Sequence, residues 1–494
     1  MQTNEKLMTK YAIPSSRMRA IDANCEYLGL MGRQLMENAG ASLAQEVVQH
    51  GGKKVVIIAG RGNNGGDAFV AARHLASKED IDVKVALAGR SSQIRTEDAR
   101  QNFKLLEHSG ITAILEIMDG QELEASGWLE NVDIIIDAIL GTGVKGHIRE
   151  PESTLIDLIN NSDAHVIAVD IPSGVDPDGG SFEKAVHADV TLTFHRMKIG
   201  LVEKYAGVIR VVDIGVCQDA EDFVGMGDLH VLTRRRPDSH KGQAGRVLVI
   251  GGGAYSGAPA LAALAALRCG ADIVTIAAPD NVASTIASFS PNLIVRHLSS
   301  NHLCPDDVEL ISDLIQTHDV VVIGMGLGRD MDTVEAISGI LPMCTRVVVD
   351  ADALHKLKLP PAEGCEMIIT PHAGEFEALR GRRTPYDLEA RAEAALAFST
   401  EKNVITLLKG RYDTICDSRR VAFNRTGNPG MTVGGTGDVL AGIVAAIFAT
   451  SSAMDAACCG AFINGMAGDL ALKERGYGLL ATDVIDRITE VMER

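Results

Sequence analysis

The residues Gly434, Gly435, Thr436, Gly437 and Asp438 stand at the head of an apolar helical run, inside the string NPGMTVGGTGDVLAGI (Asn428–Ile443). Glycine-rich backbone at a helix start turns N–H groups toward an anion, and the helix dipole favours a phosphoryl group there. Asp438, in the first turn, is where a carboxylate can take the proton of a hydroxyl that attacks such a phosphate. An aspartate at this position can also do no more than stabilise the helix. The three glycines crowded before it favour the phosphate. No G-x-x-x-x-G-K-[ST] occurs, which excludes a P-loop enzyme.

The first half carries a second glycine loop, Gly60-Arg61-Gly62-Asn63-Asn64-Gly65-Gly66-Asp67, which formally contains G-x-G-x-x-G and runs into a helical stretch. The acidic residue a dinucleotide fold wants after the next strand is missing; DVKVALAGR ends in Gly89 and Arg90. Two further strand ends, Asp137 to Gly143 (DAILGTG) and Val169 to Asp176 (VDIPSGVD), belong to the same crevice if the sheet is parallel. Oxygen-bearing side chains at all three ends, Asn64, Asp137 and Ser173, could surround a hard cation. Each alone reads more readily as a cap for the helix or turn that follows, and their joint occurrence favours a site.

These loops need a scaffold, and the apolar runs supply one. KKVVIIAG, DVKVALAG, VDIIIDAIL and HVIAVDIP alternate with helical stretches in the first half; RVLVIGGG, DIVTIAAP, DVVVIGMG, RVVVDADAL and NVITLLKG do so in the second. Such alternation predicts α/β architecture with parallel sheets wound by helices. At 494 residues the chain exceeds what one hydrophobic core usually covers. The stretch Val211–Gly245 lacks a sustained strand pattern, so the boundary is placed near Asp219 to Val231, giving domains 1–220 and 221–494.

The net charge of −18 disfavours nucleic acid and anionic membranes at long range. The nine cysteines form no C-x-x-C, so neither a disulfide framework nor a zinc site is expected, and a reducing cytoplasm fits. The first residues lack an apolar signal core, and Val439–Ala449 is too short to span a bilayer, so no membrane role is expected.

The segments LMENAG (Leu35–Gly40), GNNGGD, DAILGTG, VDIPSGVDPDGG and ADVTLTFHRMKIGL (Ala188–Leu201) resemble the epimerase domain that interconverts the stereoisomers of hydrated NADH and NADPH. The likeness spans about residues 10 to 215 and implies a Rossmann-like doubly wound sheet. It implies that Asn63, Asn64, Gly65, Gly66 and Asp67, the loop Gly141, Thr142, Gly143, Val144, Lys145, Gly146 and His147, and Asp170 contact the hydrated dinucleotide. Asn64, Asp137 and Ser173 would hold K+. Ala68 departs from the family, which usually has glycine after GGD. Inverting the hydroxyl-bearing carbon beside the ring nitrogen needs proton transfers and no redox step, which suits Asp170 as an acid or base.

In the second half, G-T-G-D before an apolar helix resembles the anion hole and base of ribokinase-like kinases. HKGQAG, GGGAYSGAPALAALAALRCGAD, GMGLG, DADAL, TPHAGEF and LKGRYD follow in the order of the dehydratase that returns hydrated NADH or NADPH to the reduced cofactor. This likeness covers about residues 230 to 490. It implies that Ala258, Gly326 and His372 line the dinucleotide site, that Lys409, Gly410, Arg411, Tyr412 and Asp413 join Gly434 to Gly437 at the nucleotide, and that Asp438 is the base. Met325 stands where the family commonly has proline. ADP is the expected phosphoryl donor and Mg2+ its companion, the hydroxyl being phosphorylated and then lost as phosphate. The partners expected are the two hydrates, NADHX and NADPHX, with further copies of the chain in a homo-oligomer. A kinase of a small hydroxylated vitamin precursor, and a first half that merely binds dinucleotide, are the competing readings.

Overall fold

The computed structural model describes residues 12–110, 112–143, 147–180, 182–232, 238 and 240–493. The chain forms two compact units, residues 1–220 and 221–494.

In the first unit the described strands are β1 (Lys54–Ala59), β2 (Asp82–Ala88), β3 (Ala113–Ile117), β4 (Ile134–Ala138), β5 (His165–Val169), β6 (Val190–Phe194) and β7 (Val208–Val212). They lie in the order β3-β2-β1-β4-β5-β6-β7, every pair parallel. A parallel sheet covered on both faces needs apolar side chains on both, which is why β1 reads as an unbroken VVIIA. Val55 and Ile57 pack with the helices Gly32–His50 and Asn63–Ala76, whereas Val56 and Ile58 pack with the helix Glu152–Asn160 on the other face. The strand order reverses between β1 and β4, and the crevice at such a reversal is where a doubly wound sheet takes its ligand. The loops after β1 and β4 both open there.

The second unit has β8 (Arg246–Ile250), β9 (Ile273–Ala278), β10 (Ile294–His297), β11 (Val320–Ile323), β12 (Arg346–Val349), β13 (Glu366–Ile369), β14 (Ile405–Leu408), β15 (Asp413–Cys416) and β16 (Val421–Asn424). Their order is β10-β9-β8-β11-β12-β13-β14-β15-β16; pairing is parallel as far as β14 and antiparallel beyond it. The sheet is therefore mixed, with a hairpin at one edge that the sequence pattern did not announce.

The helix Thr436–Phe448 runs across this sheet with every residue from Val439 to Phe448 buried. A helix apolar on all sides has to be internal, which accounts for the run that is too short for a membrane. Among the described residues no helix is long and apolar enough to cross one. Gly442 lets the helix lie against its neighbour Gly257–Arg268, since a Cβ there would come 2.1 Å from the Ala262 carbonyl oxygen. No side chain caps its N-terminus. A missing cap costs about 1 kcal/mol, whereas each branched side chain fully buried here contributes roughly 1.5–3 kcal/mol. Packing thus holds the helix while its first N–H groups stay unbonded.

Candidate active sites

In the first unit, β1 ends at Ala59 and the chain turns through Gly60 to the helix Asn63–Ala76. The turn is tight: a Cβ on Gly60 would meet the Ile139 carbonyl oxygen at 1.8 Å, and one on Gly65 would meet the Gly60 carbonyl oxygen at 2.0 Å. Gly62 is the N-cap and offers no side chain. The N–H groups of Asn63, Asn64 and Gly65 have no hydrogen-bond partner among the described residues. Ala68, the departure from the family pattern, is fully buried in the core.

Asn64, Asp137 and Ser173 converge on the loop after β4. Ser173 Oγ donates to Asp137 Oδ1 at 2.5 Å and Ser173 N to Asp137 Oδ2 at 2.7 Å. The Leu140 carbonyl accepts from Asn64 Nδ2 at 3.1 Å, and Leu140 N donates to Ser173 Oγ at 2.9 Å. Burial pushes the Asp137 carboxyl up to about 6 against the bonds from Ser173 and Ile139. Gly141 adjoins Asn64, its Cβ position lying 3.3 Å from Asn64 Cβ. Thr142 and Gly143 continue the turn; Val144, Lys145 and Gly146 lie outside the described residues. His147 is exposed and pairs with Glu183 at 2.9 Å.

Asp170 follows β5 with φ +63°, a left-handed conformation unusual for a side-chain-bearing residue and one that proteins tolerate mainly at functional positions. Its carboxylate accepts from Lys198 Nζ, from Thr193 Oγ1 at 3.3 Å and from Phe194 N at 3.2 Å. Lys198 is only 1% exposed and also donates to Thr193 Oγ1 and the Phe194 carbonyl, both at 3.0 Å. The N-terminal segment reaches this place because Ile13 N bonds to the Met197 carbonyl at 2.9 Å, and the helix Ser15–Tyr27 that follows brings Asp22 near. Asp22 is open to solvent on one side, yet the surrounding protein, then the charge of Asp170, raises its carboxyl to about 6 against the pull of Lys198. Burial, then Asp170 and Asp22, raise Asp67 well above the carboxylate range. The sequence reading missed Lys198 and Asp22. Lys198 sits in the quoted ADVTLTFHRMKIGL, where one lysine after an apolar strand was a usable signal; Asp22 offered none.

In the second unit, Gly435 at φ +99° is the N-cap of the helix Thr436–Phe448. The N–H groups of Gly435, Thr436, Gly437 and Asp438 have no partner among the described residues. Thr436 Oγ1 is turned back onto the Met431 carbonyl at 2.7 Å and braces the turn. Lys409, at the end of β14, brings its ammonium to this place, 3.4 Å from where a Cβ on Gly437 would be. Asp350, at the end of β12 and 2% exposed, holds Lys409 at 2.9 Å. Burial lowers the Lys409 value, but Asp350, Glu375 and Asp438 outweigh it and the net direction is up. Burial, then the charge of Asp350, raises Asp438 to about 7 against the pull of Lys409. A bare helix N-terminus, an ammonium and a carboxylate able to change protonation near neutrality can bind a phosphoryl group and deprotonate its attacker.

The other expected residues divide. Gly326 (φ +70°) lies against Ala258, its Cβ position 3.5 Å from Ala258 Cβ, so these two meet as anticipated, while Met325 is buried in the core. His372 bridges to Lys409 across the sheet end. Its Nδ1 accepts from Gly374 N at 3.0 Å and Glu375 N at 3.3 Å, so the ring caps the helix Ala373–Arg380. The span from Lys409 to Asp413 is the turn between β14 and β15. Asp413 closes it, accepting from Gly410 N at 3.0 Å and Asn424 Nδ2 at 2.9 Å, so its carboxylate is occupied by the fold. Arg411 is exposed and lies over the Tyr412 ring at 5.5 Å.

Two family models match the chain: one described as YjeF-related protein N-terminus over residues 32–200, the other as NAD(P)H-hydrate dehydratase over residues 247–490. A bifunctional NAD(P)H-hydrate repair enzyme Nnr from Archaeoglobus fulgidus is 46% identical over 487 residues, 98% of both chains. One from Methanothermobacter thermautotrophicus is 44% identical over 496 residues, covering 96% of this chain and 94% of that one. Among solved structures, an ADP/ATP-dependent NAD(P)H-hydrate dehydratase from Bacillus subtilis, co-crystallised with ATP and Mg2+, is 28% identical with a TM-score of 0.50. It covers 55% of this chain and 98% of its own.

Proposed function

The chain belongs to the bifunctional NAD(P)H-hydrate repair enzymes, and from that premise we propose which of its residues carry each of the two reactions. It epimerises hydrated NADH and NADPH and dehydrates them at the expense of a nucleotide. Epimerisation is assigned to residues 1–220 and dehydration to residues 221–494.

In dehydration, the N–H groups of Gly434 to Gly437 and the ammonium of Lys409 bind the terminal phosphate of the nucleotide. Asp438 takes the proton of the hydrate's hydroxyl as its oxygen attacks phosphorus, and the shortened nucleotide leaves. Phosphate then departs from carbon with the bonding pair, a proton leaves the neighbouring carbon, and the ring double bond returns. Hydroxide is a poor leaving group and phosphate a good one, which is the reason for the first step. The observation that carries this assignment is the placing of Lys409 beside Gly437 and Asp438. Ala258, Gly326 and His372 line the hydrate's side, and the turn from Lys409 to Asp413 the nucleotide's.

ADP is the proposed donor, with AMP and phosphate as products. The ATP and Mg2+ in the Bacillus subtilis crystal support a nucleotide that carries Mg2+. Asp350 is engaged by Lys409, and Asp352 accepts from Gly328 N and Arg329. Mg2+ would ride on phosphate oxygens and water, its usual companions at such sites, and would neutralise charge on the transferring group.

In the first unit, the loops Asn63–Asp67 and Gly141–His147 and the side chain of Asp170 hold the hydrate, with Asp170 as acid or base. With Asn64 Nδ2 engaged by the Leu140 carbonyl, the side-chain oxygens of Asn64, Asp137 and Ser173 carry one formal negative charge, a set that fits K+. The ion would offset the buried Asp137 charge and fix the loop.

Eight of the nine free cysteines are buried and one is half-buried, which supports the cytoplasm as compartment. A homo-oligomer is the proposed assembly, checked by sedimentation. The functional test incubates the chain with the S hydrate and ADP or ATP and follows phosphorus NMR. Free phosphate with reduced cofactor supports the reading; a stable phosphorylated alcohol from another substrate would replace it with a kinase.

A further inference from the structure

Two carboxylates of the first unit, Asp170 and Asp67, are held in opposite ways. Asp170 accepts hydrogen bonds from an ammonium, a hydroxyl and a backbone N–H. Asp67, in the second turn of the helix Asn63–Ala76, receives no hydrogen bond on its carboxylate among the described residues. It also shares its surroundings with Asp170 and Asp22, and the one cation acting on it, Lys198, is already committed to Asp170. Of three carboxylates around one engaged ammonium, Asp170 has its donors and Asp22 is exposed, which leaves Asp67, half-buried and without a donor, to keep a proton.

We propose that Asp67 is the proton donor of the epimerase site, paired with Asp170 as acceptor, and that the bond broken during inversion is the carbon–oxygen bond of the hydrate. This assignment rests on the reading of the first unit as the epimerase. Asp67 gives its proton to the hydroxyl; the carbon–oxygen bond breaks with its electron pair on oxygen, and water leaves. The ring nitrogen lone pair forms a C=N+ bond, whose positive charge the acidic surroundings of Asp22, Asp67 and Asp170 stabilise. Water then adds to the opposite face, the C=N pair returns to nitrogen, and Asp170 takes the proton released from the new oxygen. One water leaves and one enters, so the ring neither gains nor loses electrons. The proton has moved from Asp67 to Asp170, and exchange with solvent, or a turnover in the reverse direction, restores the starting state.

Splitting acid and base between two carboxylates in unlike environments is a general solution for chemistry near neutral pH. It also accounts for the polar isolation of Asp67: a group that has to donate gains nothing from N–H partners of its own.

The test uses the full-length chain and purified R and S hydrates, with thermal unfolding of the variant followed by circular dichroism as the folding control. Asp67→Asn is expected to lower kcat for epimerisation by about a hundredfold to ten-thousandfold with KM changed less than about threefold. Asp67→Glu is expected to recover part of the loss. In water enriched in oxygen-18, the wild type is expected to place label in the inverted hydrate at its epimerisation rate, above the enzyme-free control. A wild-type kcat in Asp67→Asn, or a change in KM alone, overturns the donor role. Inverted hydrate without label overturns carbon–oxygen cleavage, and that measurement needs no variant to fold. A wild-type chain that dehydrates but does not epimerise would instead remove the reading of the first unit.

Discussion

The ammonium of Lys409 lies 2.9 Å from the buried carboxylate of Asp350, so a lysine on β14 is aimed by an aspartate at the end of β12. The pair points to the N-terminus of the helix Thr436–Phe448, where its second positive feature is the helix itself. Lys409→Met should therefore weaken nucleotide binding. A hydrogen bond to a charged group contributes about 1.5–3 kcal/mol, or roughly ten- to hundred-and-fifty-fold in Kd, readable by calorimetry. An unchanged Kd would mean that Lys409 does not meet the phosphate.

Asp438→Asn keeps the shape of the side chain and removes the acceptor. Dehydration should fall by about a hundredfold to ten-thousandfold while nucleotide affinity and epimerisation persist. Both activities and the Kd measured on one variant decide the matter; dehydration near the wild-type rate would refute the base role.

The pH dependence of dehydration follows from the same carboxylate. As the proposed base Asp438 would act without its proton, and it is raised to about 7 by burial and then by Asp350, with Lys409 opposing. On the acid side of that value the inactive protonated form accumulates, so kcat/KM should drop about tenfold per pH unit below it and level off above it. Asp350→Asn removes a like charge, and the midpoint should move to lower pH. A midpoint that moves upward would contradict this electrostatic account.

Asp137→Ala deletes the one charged donor among Asn64, Asp137 and Ser173. Wild-type epimerisation should require K+ and fall when a large organic cation replaces it; the variant should be slow in both. Equal wild-type rates in the two buffers would remove the cation from the mechanism.

Two glycines on the phosphate-facing helix and its loop should behave differently. A Cβ on Gly442 would press on the Ala262 carbonyl oxygen at 2.1 Å, whereas nothing lies within 4 Å of one on Gly434. Gly442→Ala should cost about 1–3 kcal/mol in urea unfolding, and Gly434→Ala should stay within about 0.5 kcal/mol.

The sequence exposed the middle of each sheet better than its margins. β1, β4, β5, β8 and β11 are buried on both faces and so read as continuous apolar runs. β7 and β10 are edges with mostly exposed side chains, and their mixed composition resembles loop. The hairpin of β15 and β16 is built from strands of four residues, too short to establish a period. The glycine loops were legible because close packing at Gly60 and Gly65 leaves room for no other residue. The salt bridge of Lys198 to Asp170 was not, because it joins residues on different strand ends, and only the order of β5 and β6 in the sheet makes them neighbours. His372 and Asp413 were visible as polar residues at strand ends, but local capping and turn closure use both.

The uncapped start of the helix Thr436–Phe448 has a kinetic meaning. Its orientation is set by the ten buried residues from Val439 to Phe448, so packing alone places the donors. The entropy of ordering them was spent when the chain folded, and none of the binding energy of the phosphate is diverted to it. A nucleotide captured at this end would meet donors already in place, with no folding step between encounter and binding.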